Sequence, residues 1–175
     1  MQAPRMQLPG RRAIMQQHTG YPSFRAIVVT SADDSGAGIH RRRGSPGVIG
    51  FAYGFHGTRG QWWHDLVHGA LTVTCGSPEA EAWTGDSFEI AEVHVLPEHQ
   101  GGGIGHAMML HLAAGRPERT SLLSTPDADT RARRLYRRLG FTDLLTGFSF
   151  AGAGPPYAVM GAPLPLPTGS PQSAG

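Results

Sequence analysis

The chain has 175 residues and a formal net charge of +2, enough length for one domain with a buried core and too little charge to point to nucleic acid. No apolar stretch approaches the ~20 residues of a membrane span, and Met1 to Gly10 lacks the charged-then-apolar order of a secretory leader. The lone Cys75 has no internal disulfide partner, so the expectation is a cytoplasmic protein that engages neither membrane nor nucleic acid. All 15 Lys+Arg positions are arginine, and asparagine is absent as well; that bias suits a GC-rich, bacterial genome and carries no function.

Residues 1–10 show no periodicity and are expected to form a flexible N-terminus. Arg11 to His18 suits a short helix ended by Gly20 and Pro22. Phe24 to Thr30, rich in β-branched residues, predicts a strand, and Val48 to His56 predicts a second one. The polar run Ala32 to Gly47 between them reads as a loop. In the mixed stretch Gly57 to Gly85, Trp62 to His68 suits a short helix and Leu71 to Cys75 is too short to assign. Phe88 to Leu96 is the clearest strand. Pro97 ends it, and the glycines of Gln100 to Gly105 turn the chain into a helix over Ile104 to Ala114, where Ile104, Met108 and Leu112 stack. A short strand over Thr120 to Ser124 leads to a helix capped by Asp127 or Asp129, running to Leu139 and stopped by Gly140. Phe141 to Phe150 and Tyr157 to Leu164 read as closing strands, and residues 166–175 as a disordered tail. Antiparallel strands followed by a strand–helix–strand–helix–strand unit predict a single α/β domain over residues 11–165, with a mixed, mostly antiparallel sheet flanked by helices.

The segment from Val95 to Gly105 carries most of the functional argument. A strand stops and a helix starts with glycines between them, so several backbone N–H groups and the positive end of the helix dipole converge on one point. That is an anion site. A P-loop is excluded because it needs a lysine, and a dinucleotide fingerprint because its last glycine position falls on His106 or Met108. Val95, Pro97, Gln100, Gly103 and Gly105 do match, in order, the pyrophosphate-loop signature of the GNAT superfamily of N-acetyltransferases. Ala132, Leu135, Tyr136, Leu139, Gly140 and Phe141 match a second signature of that family at the proper distance. The chain therefore resembles GNAT enzymes over roughly Arg11 to Leu164. It departs from them in showing no strand before its first helix, which would leave Phe24 to Thr30 at a sheet edge or reflect a shortened N-terminus. Ser124 or Thr125, and Asp129, also stand where asparagines are common.

The resemblance implies transfer of an acetyl or acyl group from acetyl-CoA to a primary amine, by direct attack in a ternary complex and without a metal. It implies that Val95, Leu96, Gln100, Gly101, Gly102, Gly103, Ile104 and Gly105 hold the cofactor's diphosphate region, with Ser124, Tyr136 and Arg137 also contributing. The arginine-rich helix, Arg131 to Arg138, is suited to the 3′-phosphate and diphosphate. Tyr136 is the implied acid that protonates the leaving thiolate. A base must take the amine's proton before attack. Family comparisons divide between Glu89 and Glu92; a regular strand puts Glu92 on one face with His94 and favours Glu92, whereas a bulge favours Glu89. Backbone N–H groups near Val95 and Leu96 are expected to meet the oxyanion. The acceptor is left open between small-molecule and peptide amines, and a homodimer stays compatible with the sequence. Two other readings compete. One is a non-catalytic acyl-CoA-binding domain of the same fold that regulates a partner. The other is a zinc hydrolase built on His64 and His68, four apart on a helix as zinc ligands are.

Overall fold

The computed structural model describes residues 8–31, 47–150 and 154–168. Most of the loop expected over Ala32 to Gly47, the first seven residues of the N-terminal segment and the last seven of the tail lie outside the described residues. Helix α1 spans Leu8–His18, strand β1 Arg25–Thr30 and β2 Val48–His56; α2 spans Trp62–Cys75 and α3 Ser77–Thr84. Strand β3 runs Ser87–Val95, α4 Ile104–Ala113, β4 Thr120–Pro126, α5 Arg131–Arg138, β5 Thr142–Phe148 and β6 Tyr157–Pro163. The six strands form one sheet in the order β1-β2-β3-β4-β6-β5, and β3–β4 is its parallel pair. Among the described residues β1 is an edge strand, and no helix is long and apolar enough to cross a membrane.

Each face of the sheet has its own core. On one face Met108, Met109 and Leu112 of α4 and Tyr136 and Leu139 of α5 pack on Ala52, Phe88, Ile90 and Leu123. On the other, Val67 and Leu71 of α2 and Ala80 of α3 pack on Leu145 and Val159. Arg25 ties the edge strand to α4 by donating to the carbonyls of Leu112 (3.0 Å) and Ala114 (2.6 Å), which end that helix without intrahelical partners.

Helix α3 occupies a stretch that the sequence leaves unassigned, α1 starts three residues earlier than expected, inside the segment read as flexible, and three further local features differ from the sequence-based expectation. Helix α2 runs on to Cys75, past Gly69 and a β-branched run that argue for an earlier stop. Burial of Val67 and Leu71 outweighs propensity, and the hydroxyls of Thr72 and Thr74 fold back on the carbonyls of His68 and Ala70, each at 2.9 Å. The cap of α5 is Thr130, whose hydroxyl accepts from the Arg133 N–H at 3.1 Å. Asp127 instead accepts from the Gly147 N–H (2.7 Å) and from Arg133, while Asp129 pairs with Arg134. Strand β3 is not regular: Tyr53 pairs with Glu92 but the next residue, Gly54, pairs with Ile90, so Ala91 is an extra residue on β3.

Candidate active site

The bulge at Ala91 decides which way every side chain of β3 points, because alternation reverses across it. Phe88 and Ile90 before it, and Val93 and Val95 after it, all turn to the α4–α5 core. Glu89, Glu92 and His94 turn to the opposite face, where Glu89 meets α2 and His94 stacks on Phe51 with ring centroids 5.0 Å apart. Both carboxylates thus share one face.

Beyond Glu89 the sheet opens. Pairing of β3 with β4 covers only Ser87 to Glu89 against Thr120 to Leu122, so past that point β3 has no strand partner on its β4 side. A cavity flanks each face of this gap. The first, of about 340 Å³, is lined by Val93 and Val95 of β3, by Gln100, Gly101, Gly103 and Gly105 of the turn, by His99 and His106, and by Arg131, Arg134, Tyr136 and Arg138 of α5. Gly101 and Gly103 have φ of +90° and +84°, and a Cβ on either would meet nothing within 4 Å. The loop is therefore an open cradle against the first turn of α4, whose N–H groups lack intrahelical acceptors. Gln100 braces it by donating to the Val95 carbonyl at 3.0 Å. Glycines at left-handed φ, a helix N-terminus and three arginines on one wall fit a phosphate-bearing cofactor.

Tyr136 lies on the inner side of this cavity, buried in the α5 core. Burial, and secondarily the negative charge of Glu92, push its phenol up to about 12, so it keeps its proton at neutral pH. Arg137 turns away and donates to Asp143 at 2.9 Å. The arginines that line the cavity are Arg131, Arg134 and Arg138; their spacing of three and four residues puts them on one helix face, a signal that the count of arginines alone did not resolve. Leu96 is surface-exposed and its N–H is committed to the Ile49 carbonyl at 2.9 Å. Gly102 and Ile104 sit in the turn and the first residue of α4 without bordering the cavity.

The second cavity, of about 260 Å³, lies on the other face between α1, α2 and the sheet. Ile14, Tyr21, Phe55, Trp62 and Trp63 make it largely aromatic and apolar, and Glu89 with Ala91 forms its floor at the gap. Ser124 borders this cavity rather than the first, and its hydroxyl accepts from the Trp63 indole at 3.3 Å. Glu89 is 2% exposed. One oxygen, Oε1, accepts from His64 Nδ1 at 2.7 Å, while Oε2 is buried without a hydrogen-bond partner. Burial holds its pKa above the usual carboxylate value, with the His64 hydrogen bond acting against it. Glu92, by contrast, is half-exposed and paired with His94 Nε2.

His64 and His68 are spoken for. Their rings stack at 6.4 Å, and His68 Nδ1 donates to the Thr84 hydroxyl at 2.7 Å. Asp65, between them, accepts from the Gly60 N–H. Among the described residues no three His, Cys, Asp or Glu side chains gather in a metal-ligating group.

Comparison with known proteins gives the family. A family model described as an acetyltransferase (GNAT) domain matches residues 47–143. A GCN5-like protein acetyltransferase of Mycobacterium tuberculosis is 41% identical over 159 residues, covering 84% of this chain and 76% of that protein. Among solved structures, nourseothricin acetyltransferase aligns with a TM-score of 0.51 at 21% identity, over 82% of this chain and 67% of that one. A chain of the NatC complex bound to Gag peptide and CoA aligns at 0.58 and 14%, over 94% and 83%. A spermidine N-acetyltransferase mutant from Vibrio cholerae aligns at 0.52 and 15%, over 89% and 74%. The structural likenesses show a shared fold; with the sequence matches they establish that this chain belongs to the GNAT acetyltransferase family.

Proposed function

We propose that this protein moves an acetyl group from acetyl-CoA to a primary amine by direct attack in a ternary complex. The observation that carries this reading is the pair of cavities on opposite faces of the β3–β4 gap, one a glycine and arginine cradle, the other an aromatic pocket floored by a buried carboxylate. Acetyl-CoA supplies the activated thioester when bound. Gly101, Gly103 and Gly105 with the first turn of α4 receive its diphosphate, and Arg131, Arg134 and Arg138 add charge-assisted contacts. The strand gap lets the thioester end reach the amine.

On the acceptor side Glu89 is the better-placed base. Glu89 lines the second cavity and its buried Oε2 has no hydrogen-bond partner, whereas Glu92 is half-exposed and held by His94. A carboxylate kept above its usual pKa by burial is a stronger proton acceptor than a solvated one. Tyr136, still protonated at neutral pH, is positioned in the other cavity to donate to the departing thiolate. The acceptor that suits the second cavity carries one ammonium on a slender apolar stem, since its walls are aromatic faces and Glu89 is its carboxylate. A lysine side chain meets that description, in keeping with the name of the mycobacterial relative.

The test is a pH–rate profile of Glu89→Gln and Glu92→Gln with one amine. Glu89→Gln is expected to lose on the order of a hundredfold or more in kcat at neutral pH and to recover as pH rises and the free-amine fraction grows. Glu92→Gln is expected to stay within a few fold of wild type. The reverse pattern would move the base to Glu92, and wild-type profiles in both would remove the carboxylate-base model.

A further inference from the structure

Antiparallel neighbours such as β2 and β3 can be joined by a two-residue turn. Here residues 57–86 intervene and build α2 and α3. Besides Trp62 and Trp63, this segment delivers one buried imidazole to the site. His64 is 4% exposed, and its ring is fixed on both sides. Nδ1 meets Glu89 Oε1 at 2.7 Å, and the ring lies parallel to that of His68, at 7° between planes. His68 is itself anchored: the Thr84 hydroxyl donates to the Ala80 carbonyl at 2.8 Å and accepts from His68 Nδ1. A chain of contacts therefore runs from α3 through His68 and His64 to Glu89.

The other side of Oε1 is closed as well. A Cβ at Gly57 would lie 2.2 Å from it, so glycine is the residue that leaves it room. With Oε1 held between Gly57 and His64, the carboxylate has one orientation, and Oε2 is the oxygen left for an incoming group. The charged and titratable groups that act on Glu89 are His64 and Asp65 from α2 and His56 from β2; of these the hydrogen bond from His64 does most to favour the ionised form against burial.

We propose that His64 is a positioning residue for Glu89: it fixes the carboxylate through Oε1 and leaves Oε2 for the acceptor amine, without touching the amine itself. The proton passes from the ammonium nitrogen to Oε2 and leaves to water between turnovers. This role rests on the assignment of Glu89 as base.

Three variants separate the possibilities: His64→Leu, His64→Asn and Glu89→Gln, each checked by circular dichroism. Asn places an amide nitrogen near the position of Nδ1 and keeps the donor. His64→Leu should lose about ten- to hundredfold in kcat, with acetyl-CoA affinity unchanged by calorimetry. The acidic limb of its kcat/KM profile should move to higher pH, because the contact that lowers the Glu89 pKa is gone. His64→Asn should restore most of the rate and return the limb toward wild type. Wild-type rate and limb in His64→Leu, beside a crippled Glu89→Gln, would reduce His64 to packing and leave the base intact. An Asn variant as slow as Leu would overturn positioning, because the imidazole itself would then carry the proton. A fully active Glu89→Gln would overturn both assignments. If His64→Leu does not fold, Gly57→Ala, which displaces Oε1, must show the same limb shift; an unchanged limb there overturns the proposal.

Discussion

At the residue scale, the account turns on a carboxylate kept in an unfavourable place. Glu89 has a folded-state pKa raised by burial. A carboxyl raised in this way favours the folded state below its unfolded pKa, and that advantage is lost as pH rises through the folded pKa. At neutral pH the buried carboxyl therefore costs stability. Glu89→Gln should therefore melt at a higher temperature than wild type at pH 7 to 8, with the difference shrinking as pH falls toward the ordinary carboxylate range. A melting temperature below wild type at neutral pH would mean that the His64 pair more than offsets burial. Tyr136→Phe keeps the packing of the ring against Phe141, whose centroid is 6.0 Å away, and removes the proton. Its acetyl-CoA affinity should stay at wild type while kcat falls on the order of a hundredfold; saturating turnover at the wild-type rate would make Tyr136 a core residue only. The choice between Glu89 and Glu92 was not legible in the sequence. The bulge at Ala91 puts both on one face, and what separates them is burial against α2 for Glu89 and pairing with His94 for Glu92, contacts that no side-chain pattern marks.

At the element scale, what periodicity can report was readable. Strand β2 and helix α4 follow their expected bounds closely, because one is a mostly buried strand with Ala52 in the α4 core and the other stacks Met108 on Leu112. Helix α3 and the second half of α2 were hidden. The β-branched second half of α2 becomes helical through packing on β5 and β6, contacts between segments distant in the chain, whereas α3 carries good helix formers, Glu79 to Ala82 after Pro78, that its short length left unassigned. Arg137 stands beside the cavity-facing arginines in sequence but on another face of α5, bound to Asp143. The glycine turn gives the sharpest test of an element. Gly103 caps α4 at φ +84° with open space where a Cβ would be. Gly103→Ala should cost about 1–2 kcal/mol in folding stability from the left-handed conformation. It should also weaken acetyl-CoA at least tenfold by placing a methyl in the cradle; unchanged affinity by calorimetry would place the diphosphate elsewhere. Arg138→Ala should raise the KM for acetyl-CoA more than Arg137→Ala does, and equal effects would deny the helix face its role.

At the scale of the whole molecule, the proposed function rests on a sheet that fails to stay paired. Strands β3 and β4 are unpaired past Glu89, and a cavity lies on each face there. The central claim is that the two cavities work on one reaction. The most direct measurement is mass spectrometry of a lysine-containing peptide or a simple alkyl monoamine incubated with the protein and acetyl-CoA, with free thiol counted in parallel. The account predicts that the amine gains one acetyl group for each thiol released, and that Glu89→Gln sharply slows both at neutral pH. Tight acetyl-CoA binding with neither acetylated amine nor thiol release, across a panel of monoamines and peptides, would contradict it and leave a cofactor-binding domain without the reaction.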